Sequence, residues 1–212
     1  SPNEVQVGTS KLKAKSFIIA TGSVIADYPI LGLKETGFVT SDDALTMREA
    51  PESIIVLGAG AVAVELAQFF LRIGTKVTLL QRSGHILSQG DEDLARPLED
   101  RLREEGMDLF TGTKIIKAAK ENGRSVIYFE YEGKEKRVEA ETILQALGRR
   151  PNIDGLNLPA AGVETNKGRV TVDSEMRTNQ KNIFAVGDVN GIHEVVHIAI
   201  QQGETAGFNA CN

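Results

Sequence analysis

Gly58-Ala-Gly60-Ala-Val-Ala63 is the stretch of this sequence whose residue types and spacing best suit a chemical task. It fits G-x-G-x-x-G/A, and each small residue answers a separate demand. Gly58 permits a tight turn. Gly60 removes a side chain where a pyrophosphate must approach the backbone. Ala63 lets a following helix pack closely on a sheet. A helix opening here offers unpaired N–H groups and about half a positive charge to phosphates. Further on, Gln81-Arg82 stands where an acid commonly accepts bonds from an adenosine ribose and repels a 2′-phosphate. Gln81 can bond a hydroxyl but repels nothing. Arg82 can make a charge-assisted bond to a 2′-phosphate worth about 1.5–3 kcal/mol. The pair therefore favours NADPH over NADH.

With 21 glycines in 212 residues, the glycine pattern is expected roughly 0.4 times by chance, so its context must carry it. The context is a strand, a turn, a helix and a second strand. Ser53-Ile-Ile-Val-Leu57 is a β-branched apolar run ending at the first glycine. From Ala61 to about Ile73 the apolar residues recur at helical spacing, and Gly74 stops the helix. Lys76-Val-Thr-Leu-Leu80 is the second strand, which makes a βαβ unit with parallel strands. Asp91 to Glu105 predicts another helix, with Leu94, Leu98 and Leu102 on its apolar face. Alternating runs at about 107–118, 124–131 and 135–140, separated by Glu121-Asn-Gly123 and Glu132-Gly133-Lys134, predict an antiparallel meander. Thr142–Leu147 is again a strand. Upstream, Lys15–Ala20 reads as a strand leading into Thr21-Gly22-Ser23, and Thr40–Leu45 starts a helix that ends before Pro51. Downstream, short strands are expected near Gly168–Val172 and Asn182–Val186. A helix follows from about Glu194 to Ala210.

Composition excludes several classes. The apolar share is 41% and the charged share 25%, the profile of a globular chain. No run approaches the ~18–20 apolar residues of a membrane span. The net charge of −5 without a Lys/Arg block argues against nucleic acid as a partner. Cys211 is the only cysteine, so no internal disulfide, CxxC pair or Cys-rich metal site is available. His193 and His197 lie four apart without a third ligand, and His85 reads as a loop residue. No metal site is expected.

Four motifs in order resemble the FAD-dependent pyridine nucleotide–disulfide oxidoreductases, in the branch of dihydrolipoamide dehydrogenase, mercuric reductase and glutathione reductase. They are Ala20-Thr21-Gly22, Gly58-x-Gly60-x-x-Ala63-x-Glu65, Gly148-Arg149-Arg150-Pro151-Asn152 and Ala185-Val-Gly187-Asp188. The resemblance implies that Gly58, Gly60 and Ala63 hold the NAD(P) pyrophosphate. It places Glu65 near the nicotinamide carboxamide and Gly148 on the nicotinamide side of the pocket. Thr21 and Gly22 match a flavin-side turn. Gly187-Asp188 matches the turn whose aspartate bonds the flavin ribityl chain. No residue is expected to be catalytic, and Arg149 and Arg150 read as loop cations.

Departures from the family define the expected organisation. The sequence shows no earlier FAD fingerprint and no active-site cysteine pair, and is expected to stop where the family's C-terminal dimerisation domain would begin. The start at Ser1-Pro-Asn-Glu without Met agrees with a trimmed chain. The expected fold is α/β: a Rossmann-like three-layer NAD(P)-binding domain with an antiparallel meander, inserted in a partial FAD-binding domain. Its expected bounds are 43–158, with 1–42 and 159–212 forming the partial FAD-binding domain. The resemblance implies a cytoplasmic, homodimeric parent that passes a hydride from NAD(P)H to FAD and on to a disulfide or other acceptor. The fragment alone is expected to be inactive, and either monomeric or associated through apolar surface that the missing parts would cover. Two alternatives remain at this point. One is a non-catalytic NAD(P)H-binding sensor; the other is a fragment of a dithiol-independent NADH oxidase or flavin reductase.

Overall fold

The computed structural model describes residues 3–212. These residues form two compact units, Ala26–Gly148 and the chain up to Ile25 together with Arg149–Asn212.

In the Ala26–Gly148 unit the strand Ser53–Leu57 is buried at all five positions, which is why it reads as an unbroken apolar run. It lies in a four-stranded parallel sheet ordered Thr142–Gln145, Ser53–Leu57, Lys76–Leu80, Asp108–Phe110. Helices Ala61–Arg72 and Glu92–Glu104 cover one face, where Ile54, Val56, Val77 and Leu79 meet Ala63, Ala67, Phe70 and Leu102. The other face, with Ile55, Leu57 and Ile143, packs on the meander through Ala118, Ile127 and Phe129. The meander is Lys114–Glu121, Arg124–Tyr131 and Lys134–Ala140. Residues 107–118 were expected to begin it as a single run. Instead, Asp108–Phe110 is the fourth parallel strand, and the turn at Gly112 (φ 72°) separates it from the meander.

The buried stripe of helix Glu92–Glu104 also differs from expectation. Leu94 is 76% exposed, and Ala95, Glu99 and Leu102 are buried, with Leu98 partly so. A spacing of four drifts by about 40° per step, so Leu94 and Leu102 stand about 80° apart. Residues 95, 98, 99 and 102 follow the tighter 3–4 alternation of one face. The helix expected from Thr40 is a single turn, Ser41–Ala44, closed by a capping box in which Thr40 and Asp43 bond each other reciprocally.

The unit boundaries fall earlier than the expected 43 and 158. Leu33 is buried against the meander side of the core, and Val39 bridges Leu144, so residues 26–42 group with the parallel sheet. The unit closes on itself: the Ala26 N–H donates to the Gly148 carbonyl at 3.0 Å.

The second unit joins two distant stretches of sequence. Phe17–Ile19 pairs in parallel with Ile183–Ala185, and Ser23–Ile25 pairs antiparallel with Arg149–Pro151. Helix Val196–Cys211 follows, with Ala206 buried beside Phe184 and Val186. The hairpin Glu4–Val7/Ser10–Lys13, which carries no turn dipeptide of the strong type, is an addition to the expected elements. Among the described residues no helix is long and apolar enough to cross a membrane.

Candidate functional site

The glycine turn sits at the C-terminal edge of the parallel sheet, the edge where open α/β sheets bind ligands. Gly58 is buried, with φ 101°, and donates its N–H to the Leu80 carbonyl at 2.9 Å. A Cβ at Gly58 would stand 2.5 Å from the Ala146 carbonyl oxygen, so the fold itself demands glycine there. Gly60 is the opposite case. Its backbone is ordinary (φ −72°, ψ 177°), and among the described residues a Cβ there would meet no atom within 4 Å. The protein does not need glycine at 60, and the space beside it is open. Gly60 caps helix Ala61–Arg72 without any side-chain hydrogen bond, and the first turn carries no acid. Its N-terminal N–H groups thus face no competing charge from that turn. These features fit a pyrophosphate. Ala63 is buried in the core beneath, and Glu65 is exposed in the second turn, at the rim of a groove with Leu45, Met47 and Phe69.

The loop after Lys76–Leu80 is pinned at many points. Both ends of the Gln81 amide are engaged within it. Its Oε1 accepts from the Arg82 N–H at 3.1 Å, and its Nε2 donates to the His85 carbonyl at 3.4 Å. Gln81, read from the sequence as able to bond a cofactor hydroxyl, is buried, and its amide braces the loop. Thr113 clamps the Gln81 carbonyl with its N–H at 2.9 Å and its hydroxyl at 3.0 Å. Leu87 donates its N–H to the Ala59 carbonyl at 2.8 Å, which ties the loop to the glycine turn. His85 is committed as well, since its Nδ1 donates to the Ile86 carbonyl at 2.7 Å. Arg82 is exposed, and among the described residues its guanidinium makes no ion pair.

In the second unit three of the four motifs interlock. The Thr21 hydroxyl donates to the Asn152 carbonyl at 2.6 Å, and the Asn152 N–H donates to the Gly22 carbonyl at 2.9 Å. The Val186 N–H donates to the Ile19 carbonyl at 3.0 Å. The Ser23 hydroxyl donates to Asp188 Oδ2 at 2.7 Å and accepts from Arg149 Nε at 2.8 Å. Arg149, expected to be a loop cation, is therefore built into the Ser23–Asp188 cluster. Arg150 remains an exposed ion pair with Asp154 at 2.6 Å, whose carboxyl is held below the usual aspartate range by that bond. Gly187 (φ 72°) donates its N–H to Gln202 Oε1 at 2.7 Å. Gly148 is exposed, with φ 127°.

Sequence reasoning missed Ser23 and Glu99. Ser23 lay beside the quoted Thr21-Gly22, and a serine next to a flavin-type turn was a usable signal. Glu99 offered only its spacing to Arg96 and Arg103, which on a helix normally marks a solvated face. Among the described residues no cluster of three metal-ligating side chains occurs, and His193 and His197 are exposed.

A family model described as pyridine nucleotide-disulphide oxidoreductase matches residues 1–203. Mercuric reductase from Staphylococcus aureus is 38% identical over 208 residues, covering 97% of this chain and 38% of that protein. Dihydrolipoyl dehydrogenase from Acholeplasma laidlawii is 34% identical over 210 residues, covering 97% of this chain and 61% of that protein. Among solved structures, the HOCl-induced flavoprotein disulfide reductase RclA from Escherichia coli superposes with a TM-score of 0.87 at 27% identity. That match covers 96% of this chain and 46% of that one. The chain thus spans between 38% and 61% of the length of these relatives.

Proposed function

Because the chain belongs to the pyridine nucleotide-disulphide oxidoreductase family, we propose that it is the NAD(P)-binding portion of a flavin-dependent oxidoreductase. The whole protein would pass a hydride from NAD(P)H to FAD and on to a disulfide or other acceptor. In this reading the Ala26–Gly148 unit, which holds most of the expected 43–158 domain, binds the nicotinamide dinucleotide. The other unit contributes part of an FAD-binding domain. When bound, the two cofactors supply the hydride donor and the redox-active acceptor.

The residues of the chain bind and orient. Gly58 shapes the turn, Gly60 leaves room for the pyrophosphate, and the open helix N-terminus supplies N–H donors to it. Ala63 keeps that helix close to the sheet, while Glu65 and Gly148 serve the nicotinamide side. Arg82 bonds a 2′-phosphate, which favours NADPH, and Gln81 holds Arg82's loop. Thr21, Gly22, Gly187 and Asp188 serve the flavin. The Ser23 hydroxyl orients one Asp188 oxygen and leaves the other available to a ribityl hydroxyl. The parent is a cytoplasmic homodimer in this proposal, and the present chain alone has no turnover.

The observation that carries the reading is Gly60: glycine at a position where neither the backbone nor any neighbour among the described residues requires one. The test is a side-by-side titration of NADPH and NADH into this chain, followed by reduced-nicotinamide fluorescence. NADPH should bind at least about tenfold tighter, as one charge-assisted bond predicts. Arg82→Ala should erase the difference. Absence of binding by either dinucleotide would sink the reading.

A further inference from the structure

We propose that Glu99 is a positioning residue for dinucleotide selectivity, acting by fixing the backbone of the loop that carries Arg82. This rests on the reading of Arg82 as the 2′-phosphate contact.

Glu99 lies on helix Glu92–Glu104, on the side that packs on the sheet, and its side chain is fully buried. Its neighbours on that stripe are Ala95, Leu98 and Leu102, so an apolar residue would satisfy packing at this position. A buried carboxylate is costly unless it is paired and hydrogen-bonded. Here its two oxygens are divided between tasks. Oε2 accepts from Arg96 at 3.1 Å and from Arg103 at 3.3 Å, which offsets the charge. Oε1 is left to accept from the Ile86 N–H at 2.9 Å. Ile86 is itself fully buried, and among the described residues its N–H bonds to no other acceptor. A buried backbone donor needs a partner, and this one finds it in a side chain from the next helix.

The bond falls at a demanding point of the loop. The following residue, Leu87, adopts the left-handed conformation (φ 49°) without being glycine. Such a backbone persists only where its surroundings over-determine it. Three bonds do so here. The Ile86 N–H reaches Glu99, the Leu87 N–H reaches Ala59 at 2.8 Å, and the Gly112 N–H reaches the Ser83 carbonyl at 2.7 Å. Glu99 is the only one of these three acceptors that comes from a side chain. Arg82 sits between Gln81, whose carbonyl Thr113 holds, and Ser83, whose carbonyl Gly112 holds, and among the described residues its guanidinium makes no ion pair. An arginine on a preordered loop loses less freedom when it meets a phosphate, so the preference for NADPH depends on how well the loop is held.

Two conservative variants separate reach from charge. Glu99→Asp keeps the carboxylate but draws the acceptor back by one methylene. Glu99→Gln keeps the reach and one acceptor oxygen for the Ile86 N–H, while its amide nitrogen replaces the oxygen that faced Arg96 and Arg103, both of which are exposed enough to turn to solvent. Each is titrated with NADPH and NADH, with the fold checked by circular dichroism. The expected result is that Glu99→Asp lowers the NADPH:NADH affinity ratio from about tenfold to below about threefold. NADH affinity should stay within about twofold, and Glu99→Gln should keep the wild-type ratio. A Glu99→Asp protein with the wild-type ratio overturns the inference. So does a ratio that follows charge rather than reach, or an equal loss of both dinucleotides, which marks a general structural role. The wild-type arm reports separately on the underlying reading. If the wild-type chain binds both dinucleotides alike, Arg82 is not the selector and the role of Glu99 falls with it, while the nicotinamide-binding reading stands. If it prefers NADPH and Glu99→Asp retains that preference, only the role of Glu99 fails.

Discussion

Gly58 and Gly60 stand two residues apart in one motif, yet the structure needs them for opposite reasons. Gly58 is held in a backbone conformation that side chains avoid and faces the Ala146 carbonyl. Gly58→Ala should therefore lower stability by about 2–4 kcal/mol, read from urea unfolding. Gly60 has an ordinary backbone and an empty neighbourhood. Gly60→Ala should leave stability unchanged or raise it by up to about 1 kcal/mol, since alanine restricts the unfolded chain. Its NADPH affinity should nevertheless fall at least about tenfold, because the new methyl takes the space assigned to the pyrophosphate. Equal loss of stability in both variants would show that the motif is a folding device alone. The motif was legible in the sequence because its demands are local. Gln81 was only half legible: its position at a strand end was clear, but its amide turns to the loop's own backbone, and that depends on where Arg82 and His85 fall in space.

The helices show how far periodicity carries. Ala61–Arg72 was readable to within a residue because a glycine opens it and another closes it. The burial of Glu99 was not readable, since a glutamate flanked by arginines at helical spacing looks solvated. Only the neighbouring loop's buried N–H explains its inward position. The two helices are also joined at their ends. Arg72 grips both oxygens of Glu105 at 2.8 and 2.9 Å, and Arg101 adds a bond at 2.9 Å. The Arg72 hydrogen bonds, ahead of the Arg101 bond, depress the Glu105 pKa from 4.5 to about 2. A depressed folded-state pKa stabilises the protein above the unfolded value, and that contribution disappears as the proton goes on. Stability from this cluster should be complete above about pH 4.5 and lost as the pH falls through about 2. Thermal melting of Glu105→Gln should show a shallower decline across that window than the wild type. Parallel curves would show that the cluster contributes nothing to linkage.

At the scale of the whole molecule, one thiol limits what this chain can do. Cys211 is exposed and is its only cysteine. A dithiol–disulfide cycle needs an attacking and a resolving sulfur. An aromatic disulfide reagent should therefore release one equivalent of thiolate from this chain, and NADPH with added FAD should drive no further release. Sustained, NADPH-dependent release would overturn the proposal that the chain alone is inactive. The α/β class and the parallel βαβ unit were legible in the sequence, as was the meander as a type of structure. The unit boundaries were not. Residues 26–42 carry few periodic signals, and only the burial of Leu33 and the Val39–Leu144 bridge assign them to the parallel sheet.

The hydrogen bond from Ala26 to the Gly148 carbonyl has a consequence for heredity as well as for folding. It brings the entry and exit of the parallel-sheet unit to one spot, so every strand pairing of that sheet is made inside the loop of chain it closes. A module with adjoining ends can be spliced into or out of a host gene without severing its own sheet. Residues 26–148 thus have the form of a transplantable cassette. Recombination could pass such a cassette between different hosts with its pinned loop intact, because Gln81, Arg82 and Glu99 all lie within it.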